Sequence, residues 1–437
     1  MQDGLNKAFD SLDPTSLIHQ SITRMGDKLV VQGIETDLGE VEGIYVVGAG
    51  KGALWLAEAL IPMVRDKFRA GIINVPKGLV GGLVRETVKG LRVVGGNHPV
   101  PDEGSVQGAE EQLALLRQLG PKDLVLVVVT GGASSLLTLP QDTITLEDLQ
   151  VLNNMLLKSG LDIHDINAVR KHVDRVKGGG LISATKANVI GLYVSDVLGN
   201  DLSFVGSGPT VVDQTTFSDC VHLLRSKEIW QEVPVSIREL LTRGEAGQVT
   251  ETLKDYPSEQ KVRNILLGSN HLPLEALKTT LEEGGVTTIV LTETFAGEAS
   301  LLGEFLAHYC SYPYVGRPKA LLAGGESVVA LRTYFEPAPS GGRNQELVLA
   351  WLVEMLENTS NASNDVLLVS VGTDGIDGNS PHAGAIGIPA MWEGEDTLEK
   401  FRLALERHES SSVLGKALIT TGPTKTNVAD LLVLLLL

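Results

Sequence analysis

The chain has 437 residues, too many for one ordinary core, so two domains are the natural expectation. Its formal charge of −18 argues against a nucleic-acid partner, because no broad basic face is available to release counterions. Any anionic substrate must therefore be drawn into a local basic pocket. Cys220 and Cys310 give neither a disulfide framework nor a zinc spacing. Residues 1–5 carry no signal pattern, and the apolar run 431–437 is far short of the ~20 residues of a membrane helix. A cytoplasmic protein without membrane contact is expected, with that run as a closing buried strand.

The first chemistry-bearing stretch is Gly43-Ile44-Tyr45-Val46-Val47-Gly48-Ala49-Gly50-Lys51-Gly52, an apolar strand entering a glycine turn, with helix-forming residues after it. Strand, glycine loop and helix is the geometry that cradles phosphate, and Lys51 is the anion ligand it offers. A Walker loop needs Ser or Thr after the lysine, and Gly52 stands there instead. A dinucleotide fingerprint needs an acid at the end of the next strand, but the run through Asn74-Val75-Pro76-Lys77 has none. A nicotinamide cofactor is therefore disfavoured. Asn97-His98-Pro99-Val100-Pro101-Asp102 is a stiff turn before an Ala- and Leu-rich helix. The buried strand 124–129 then ends in Thr130-Gly131-Gly132-Ala133-Ser134-Ser135. That loop lacks the second glycine of a nucleophile elbow, so Ser134 reads as a hydrogen-bond donor.

Thr145-x-x-Asp148 opens a helix in capping-box style, and Asp162 starts another whose buried stripe is Ile163, Ile166, Val169, Val173 and Val176. This second helix is expected to continue to Gly178-Gly179-Gly180. Its polar side, with Arg170, Lys171, Arg175 and Lys177, is the densest basic patch of an acidic chain. It is either a solvated face or an anion contact. The strand 189–194 delivers Ser195-Asp196, and a carboxylate at a strand end beside glycine loops is what a magnesium site needs. The polar stretch 242–261 marks the domain boundary, giving domains 1–250 and 251–437, with Asn264-Ile265-Leu266-Leu267 as the first strand of the second.

In the second part, Gly324-Gly325-Glu326 ends one strand and Gly372-Thr373-Asp374-Gly375-Ile376-Asp377-Gly378 follows another. Asn358-Thr359-Ser360 and Asn361-Ala362-Ser363 fit the glycosylation pattern but read as a polar loop. Between them in importance lies Ser340-Gly341-Gly342-Arg343-Asn344-Gln345-Glu346, two glycines before a helix. The first helical amides are unpaired and suit an anion, and Arg343 adds a planar cationic fork. A last polar loop holds Thr426-Asn427.

The order of these motifs, from Gly48-Ala49-Gly50-Lys51 to Thr426-Asn427, resembles the glycerate 2-kinase family over nearly the whole chain. The resemblance implies an α/β protein of two three-layer α/β/α domains, the N-terminal one Rossmann-like and the smaller C-terminal one of the MOFRL kind, with an active-site cleft between them. It implies ATP-dependent phosphorylation of D-glycerate at its 2-hydroxyl with Mg²⁺, and leaves a homodimer open. Carried over, Lys51 and Arg343 match the family's essential basic pair, with Asp196 as the third catalytic group. Gly48, Gly50, Gly131, Gly132, Ser134, Glu326, Asp374 and Asn427 would line the substrate and nucleotide sites, and Asp196 and Asp374 would hold the metal. The chain departs from the family pattern at Thr130, at Ser340, at His382 and at His408-Glu409-Ser410. The rival readings are hydroxypyruvate reduction and non-enzymatic anion binding.

Overall fold

The computed structural model describes residues 1–80, 84–88, 90–311, 319–331, 339–357, 366–392 and 395–436. Both glycosylation-like triplets lie outside the described residues. The chain divides into two compact units, Pro14–Leu267 on the one hand and Met1–Asp13 with Gly268–Leu437 on the other.

In Pro14–Leu267 the central strands are near-continuous apolar runs, as strands covered on both faces must be. Asp123–Val129 is buried at every position after its first residue, and Asn188–Val194 likewise. The seven-stranded sheet runs Val262–Gly268, Asn188–Val194, Asp123–Val129, Gly43–Ala49, Phe68–Pro76, Leu91–Gly96 and Val84–Val88. Six strands are parallel, and the edge strand Val84–Val88 is antiparallel. Counted along the chain, the parallel strands lie in the order 3-2-1-4-5-6, the doubly wound dinucleotide-fold order. The order reverses between Gly43–Ala49 and Asp123–Val129, so the loops leaving these two strands flank the crevice where such sheets bind ligands. A separate antiparallel meander, Ile22–Met25, Lys28–Val31 and Ile34–Asp37, belongs to the same unit.

Two local expectations are corrected here. The helix capped by Asp162 stops at His172, not at the triple glycine, because the buried chain beyond it bridges the segment at Leu139 and Pro140. There the Arg175 amide donates to the Leu139 carbonyl, and the Asp174 carboxylate takes the Val176 amide. The boundary expected at 250/251 lies at 267/268 by compactness, since Val262–Gly268 pairs with Asn188–Val194 and closes the N-terminal sheet. The expected capping box of Thr145 and Asp148 is formed.

The second unit is built on a mixed sheet in the order Thr288–Glu298, Ala320–Val328, Asp430–Leu436, Val366–Gly372, Gly384–Gly387 and Leu418–Ile419. The apolar run near the C-terminus is indeed a strand, buried throughout and antiparallel to both neighbours. Ala320–Val328 and Val366–Gly372 are consequently parallel to each other, and Gly325, Asp430 and Gly372 stand side by side in register. Helix Arg343–Glu357 is buried nearly all round between the sheet and helix Ala299–Ser311. Gly303 permits that close approach: a Cβ there would lie 2.4 Å from the Leu347 carbonyl oxygen. Helix Gln2–Asp10 packs against helix His271–Glu283, burying Ala8 with Leu274 and Leu277.

Candidate active site

In the N-terminal unit, chain geometry at the switch point follows from its glycines. Gly48 and Gly50 have φ of 141° and 135°, in the region that disfavours a Cβ; one on Gly48 would strike the Val128 backbone in the neighbouring strand, and one on Gly50 the loop that follows it. At Gly50 the clash would be with Thr130 Oγ1 at 2.1 Å. The two loops are stitched together. The Gly50 amide donates to Asn74 O (3.1 Å), Lys51 to Gly131 O (2.9 Å) and Gly52 to Thr130 Oγ1 (3.0 Å). The hydroxyl of Thr130, a departure from the family's serine, is thus a structural acceptor. These bonds revise one expectation, because the amides of 50–52 serve the fold and do not form the phosphate cradle. What the loop presents is the Lys51 side chain.

The second loop is differently disposed. Among the described residues no partner takes the amides of Gly131 or Gly132, and Gly132 is left-handed with φ 84°. Consecutive amides of this kind form an anion-binding concavity. A Cβ on Gly131 would lie 2.2 Å from Asp196 Oδ2, and one on Gly132 would lie 3.4 Å from Lys51 Cγ and 3.0 Å from His98 Cδ2. Lys51, Asp196, Gly131 and Gly132 are therefore brought together, and His98 joins them. Partial burial, reinforced by the Lys51 charge, lowers the His98 imidazole below its ordinary value. Ser134 lies one turn on, its hydroxyl 3.1 Å from Ser207 Oγ, which donates to Asn167 Oδ1 at 2.7 Å. A hollow of about 1230 Å³ in this unit opens instead at the opposite ends of the strands, between residues such as Glu42, Lys122 and Asn188. Its mixed charges carry no comparable constellation.

In the C-terminal unit the glycine loop again serves the fold first. Gly341 has φ 136°, and a Cβ there would lie 2.2 Å from Ser410 Oγ; one on Gly342 would lie 2.4 Å from the Asp377 carboxyl carbon. Asp377 Oδ1 accepts from the Asn344 amide (3.1 Å) and Oδ2 from the Gln345 amide (2.9 Å). The anion at this helix start is therefore the protein's own carboxylate, a correction to the expected ligand cradle. Burial raises the Asp377 carboxyl to about 6, against the pull of those two amides.

Arg343 is likewise committed. Its Nε and Nη2 donate to the two oxygens of Asp430 at 2.6 and 2.9 Å, and its Nη1 lies 2.8 Å from Glu326 Oε1. Burial opposes the guanidinium charge, but Asp430 and Glu326 more than offset it and hold the group above its ordinary value. Asp430 is fully buried, and burial raises its carboxyl even with Arg343 pulling the other way. Asp374 stands at the same sheet end, with Oδ1 taking the Ile376 amide at 3.2 Å. Asn427 Oδ1 accepts from the Ala429 amide (3.0 Å) and Thr373 Oγ1 (3.4 Å), organising the loop into the last strand. At the departures, His408 Nδ1 pairs with Glu346 at 2.9 Å, and His382 Nδ1 bonds Thr420 Oγ1 at 2.7 Å.

Sequence reasoning missed Asp430 and the capping role of Asp377. The signal for Asp430 was a lone carboxylate directly before a fully apolar run, an unusual start for a buried strand unless a cation waits for it. The basic patch resolves in mixed fashion. Lys171 is buried on Asp213 at 3.3 Å and Lys177 on Asp174, so neither is a solvated face. Arg175 pairs with Asp142. For the metal, no group of three or more His, Cys, Asp or Glu among the described residues makes a cation cage. A single carboxylate, Asp196, over unpartnered loop amides still fits Mg²⁺ that arrives on phosphate oxygens, the way this ion is commonly held.

Comparison with known proteins places the chain in a family. Residues 1–242 match the family model described as a domain of unknown function, DUF4147, and residues 319–430 match the MOFRL family. A glycerate 2-kinase of Pyrococcus horikoshii is 35% identical, covering 98% of this chain and 95% of that one. A relative from Agrobacterium vitis, provisionally named a hydroxypyruvate reductase, is 34% identical over 90% of this chain and 86% of its own. The crystal structure of a Thermotoga maritima glycerate kinase superposes with a TM-score of 0.82 at 29% identity, covering 100% of this chain and 98% of that one. With its N-terminal DUF4147 and C-terminal MOFRL regions, the chain belongs to the glycerate 2-kinase family.

Proposed function

We propose that this protein transfers the terminal phosphoryl group of ATP to the 2-hydroxyl of D-glycerate. The observation that carries the reading is the meeting of Lys51, Asp196 and the Gly131-Gly132 turn at the switch point of a 3-2-1-4-5-6 sheet, in a member of the glycerate 2-kinase family. Phosphoryl transfer asks a protein mainly for positioning and charge stabilisation. The amides of Gly131 and Gly132 would receive phosphate oxygens, and the Lys51 ammonium would stabilise the charge developing on the transferring group. Asp196 would hold Mg²⁺, which when bound neutralises the phosphate charge, or accept the proton of the attacking hydroxyl. In the C-terminal unit the Arg343 side chain, held by Asp430 and Glu326, stays one-third exposed and would present its positive charge to an anionic substrate. Cys220 and Cys310, neither in a disulfide among the described residues, suit a reducing compartment such as the cytoplasm.

A nicotinamide-dependent reductase of this fold would need a carboxylate for the adenosine ribose of its cofactor at the end of the second strand. That strand ends in Pro76 and Lys77, and Lys77 pairs with Asp102. Asn74, the nearest polar side chain, is spent on Leu136 O and Gln112. Replacing Lys51 tests the proposal. Lys51→Ala should fold with an unchanged melting temperature and lose turnover by about a hundredfold or more, as for removal of one preorganised charge-stabilising donor. Steady-state ADP formation at wild-type rate in the folded variant would remove Lys51 from the chemistry.

A further inference from the structure

The four cations at the end of helix Ile163–His172 and just beyond it do not share one fate. Lys171, Arg175 and Lys177 each have a carboxylate, namely Asp213, Asp142 and Asp174. Arg170 has none within ion-pair distance among the described residues. Its Nε donates to Asn153 Oδ1 at 2.7 Å, and the rest of the guanidinium faces a cavity of about 130 Å³. Half-buried, the group is pushed below its ordinary value by desolvation alone. A cation carried into a protein without an anion is costly, and a guanidinium fork is shaped for a carboxylate or phosphate.

The cavity's other charges cancel. Asp174 Oδ2 accepts from Thr138 Oγ1 (2.6 Å) and from Lys177, and its Oδ1 accepts from the Val176 amide (2.9 Å). The net lining charge is therefore that of Arg170. Ser134 and Ser135 form part of the wall. They are the second and third residues after Gly132, the turn against Lys51. At about 130 Å³ the space is well below the ~300 Å³ at which drug-sized ligand pockets begin, so it suits a small acid head and not a nucleotide. Arg343, the other candidate for an acid substrate, has its fork filled by Asp430.

We infer that the Arg170 cavity receives the carboxylate of the hydroxy-acid substrate and so sets specificity for an acid over a neutral polyol. The inference rests on the kinase reading. Arg170 is then a substrate-binding residue, and its guanidinium takes the place of the missing internal ion pair with a pair to the ligand.

The test is steady-state kinetics of wild type, Arg170→Gln and Arg170→Lys, varying D-glycerate at saturating ATP and ATP at saturating D-glycerate, with glycerol as the neutral comparison. Arg170→Gln should raise the KM for D-glycerate about ten- to a hundredfold, the loss of a charge-assisted bond, and leave the KM for ATP within about twofold. The preference for D-glycerate over glycerol, as a ratio of kcat/KM, should fall by a similar factor, and Arg170→Lys should recover part of both. A structural role would lower both substrates equally, and that result overturns the inference. So does an unchanged KM for D-glycerate, or a rise confined to ATP. If Arg170→Gln does not fold, Arg170→Lys decides alone, since loss of the fork must still raise the D-glycerate KM. Wild-type protein that forms no ADP with D-glycerate overturns the kinase reading itself, whereas active wild type with an indifferent Arg170→Gln overturns only the inference.

Discussion

At the scale of single residues, the decisive finding is where charges go when they leave water. Arg343 meets Asp430 through two parallel hydrogen bonds, and Asp430 is fully buried. A lysine at 343 keeps the charge and loses that geometry. Arg343→Lys should therefore lower stability as well as activity, by about 3 kcal/mol, toward the lower limit for breaking a buried pair because Glu326 remains as a partner. Chemical denaturation measures the first effect and kcat/KM the second; a variant with lost activity and unaltered stability would mean the fork acts on ligand and not on Asp430. Asp377 gives a pH prediction. Its folded value of about 6 lies above its ordinary 3.8. Between those values the unfolded carboxyl has ionised while the buried one has not, so unfolding releases a proton. The residue's contribution to stability is full below about pH 4 and falls, by up to roughly 3 kcal/mol, as pH rises through 6. Carboxyl ¹³C chemical shifts should show a midpoint near 6, and a midpoint at 4 or below would contradict the desolvation argument.

At the scale of elements, glycine loops decide what can approach what. Gly131 is the sharpest case, since its missing side chain is the space occupied by Asp196. Gly131→Ala should displace Asp196 and cost about 1–3 kcal/mol by overpacking, with a larger loss in turnover than in folded fraction. Equal activity in the folded variant would show that Asp196 need not sit there. This loop and the one at Gly48–Gly50 were legible in the sequence because an apolar run followed by glycines has few other meanings. Their hydrogen bonding was not legible. The 50–52 amides go to Asn74 O, Gly131 O and Thr130 Oγ1, partners up to 80 residues away that no local pattern announces. The same holds for Lys171 and Lys177. A charge run on a helix reads alike whether it faces water or a buried carboxylate, and Asp213 lies 42 residues beyond Lys171. The helix that was expected to run to the glycines ended early for a tertiary reason, the bond from the Arg175 amide to Leu139.

At the scale of the whole molecule, the α/β rhythm of the sequence announced two units, and the apolar tail announced a closing buried strand. Membership of the units was harder to read. The first 13 residues join the second unit because Ala8 packs on Leu274 and Leu277 and Leu12 O accepts from Thr426 Oγ1, contacts made across nearly the full chain. Val262–Gly268 reads equally well as the last strand of one sheet or the first of the next, and only its pairing with Asn188–Val194 decides. The function rests on the switch-point site and on family membership together, and both lead to one reaction. Purified protein given ATP, Mg²⁺ and D-glycerate should form ADP and 2-phosphoglycerate in equal amounts over many turnovers, resolved from the 3-phospho isomer by ³¹P NMR, with no NADH consumption when hydroxypyruvate replaces glycerate. Absence of phosphoglycerate, or hydroxypyruvate-dependent NADH loss in its place, would contradict the account.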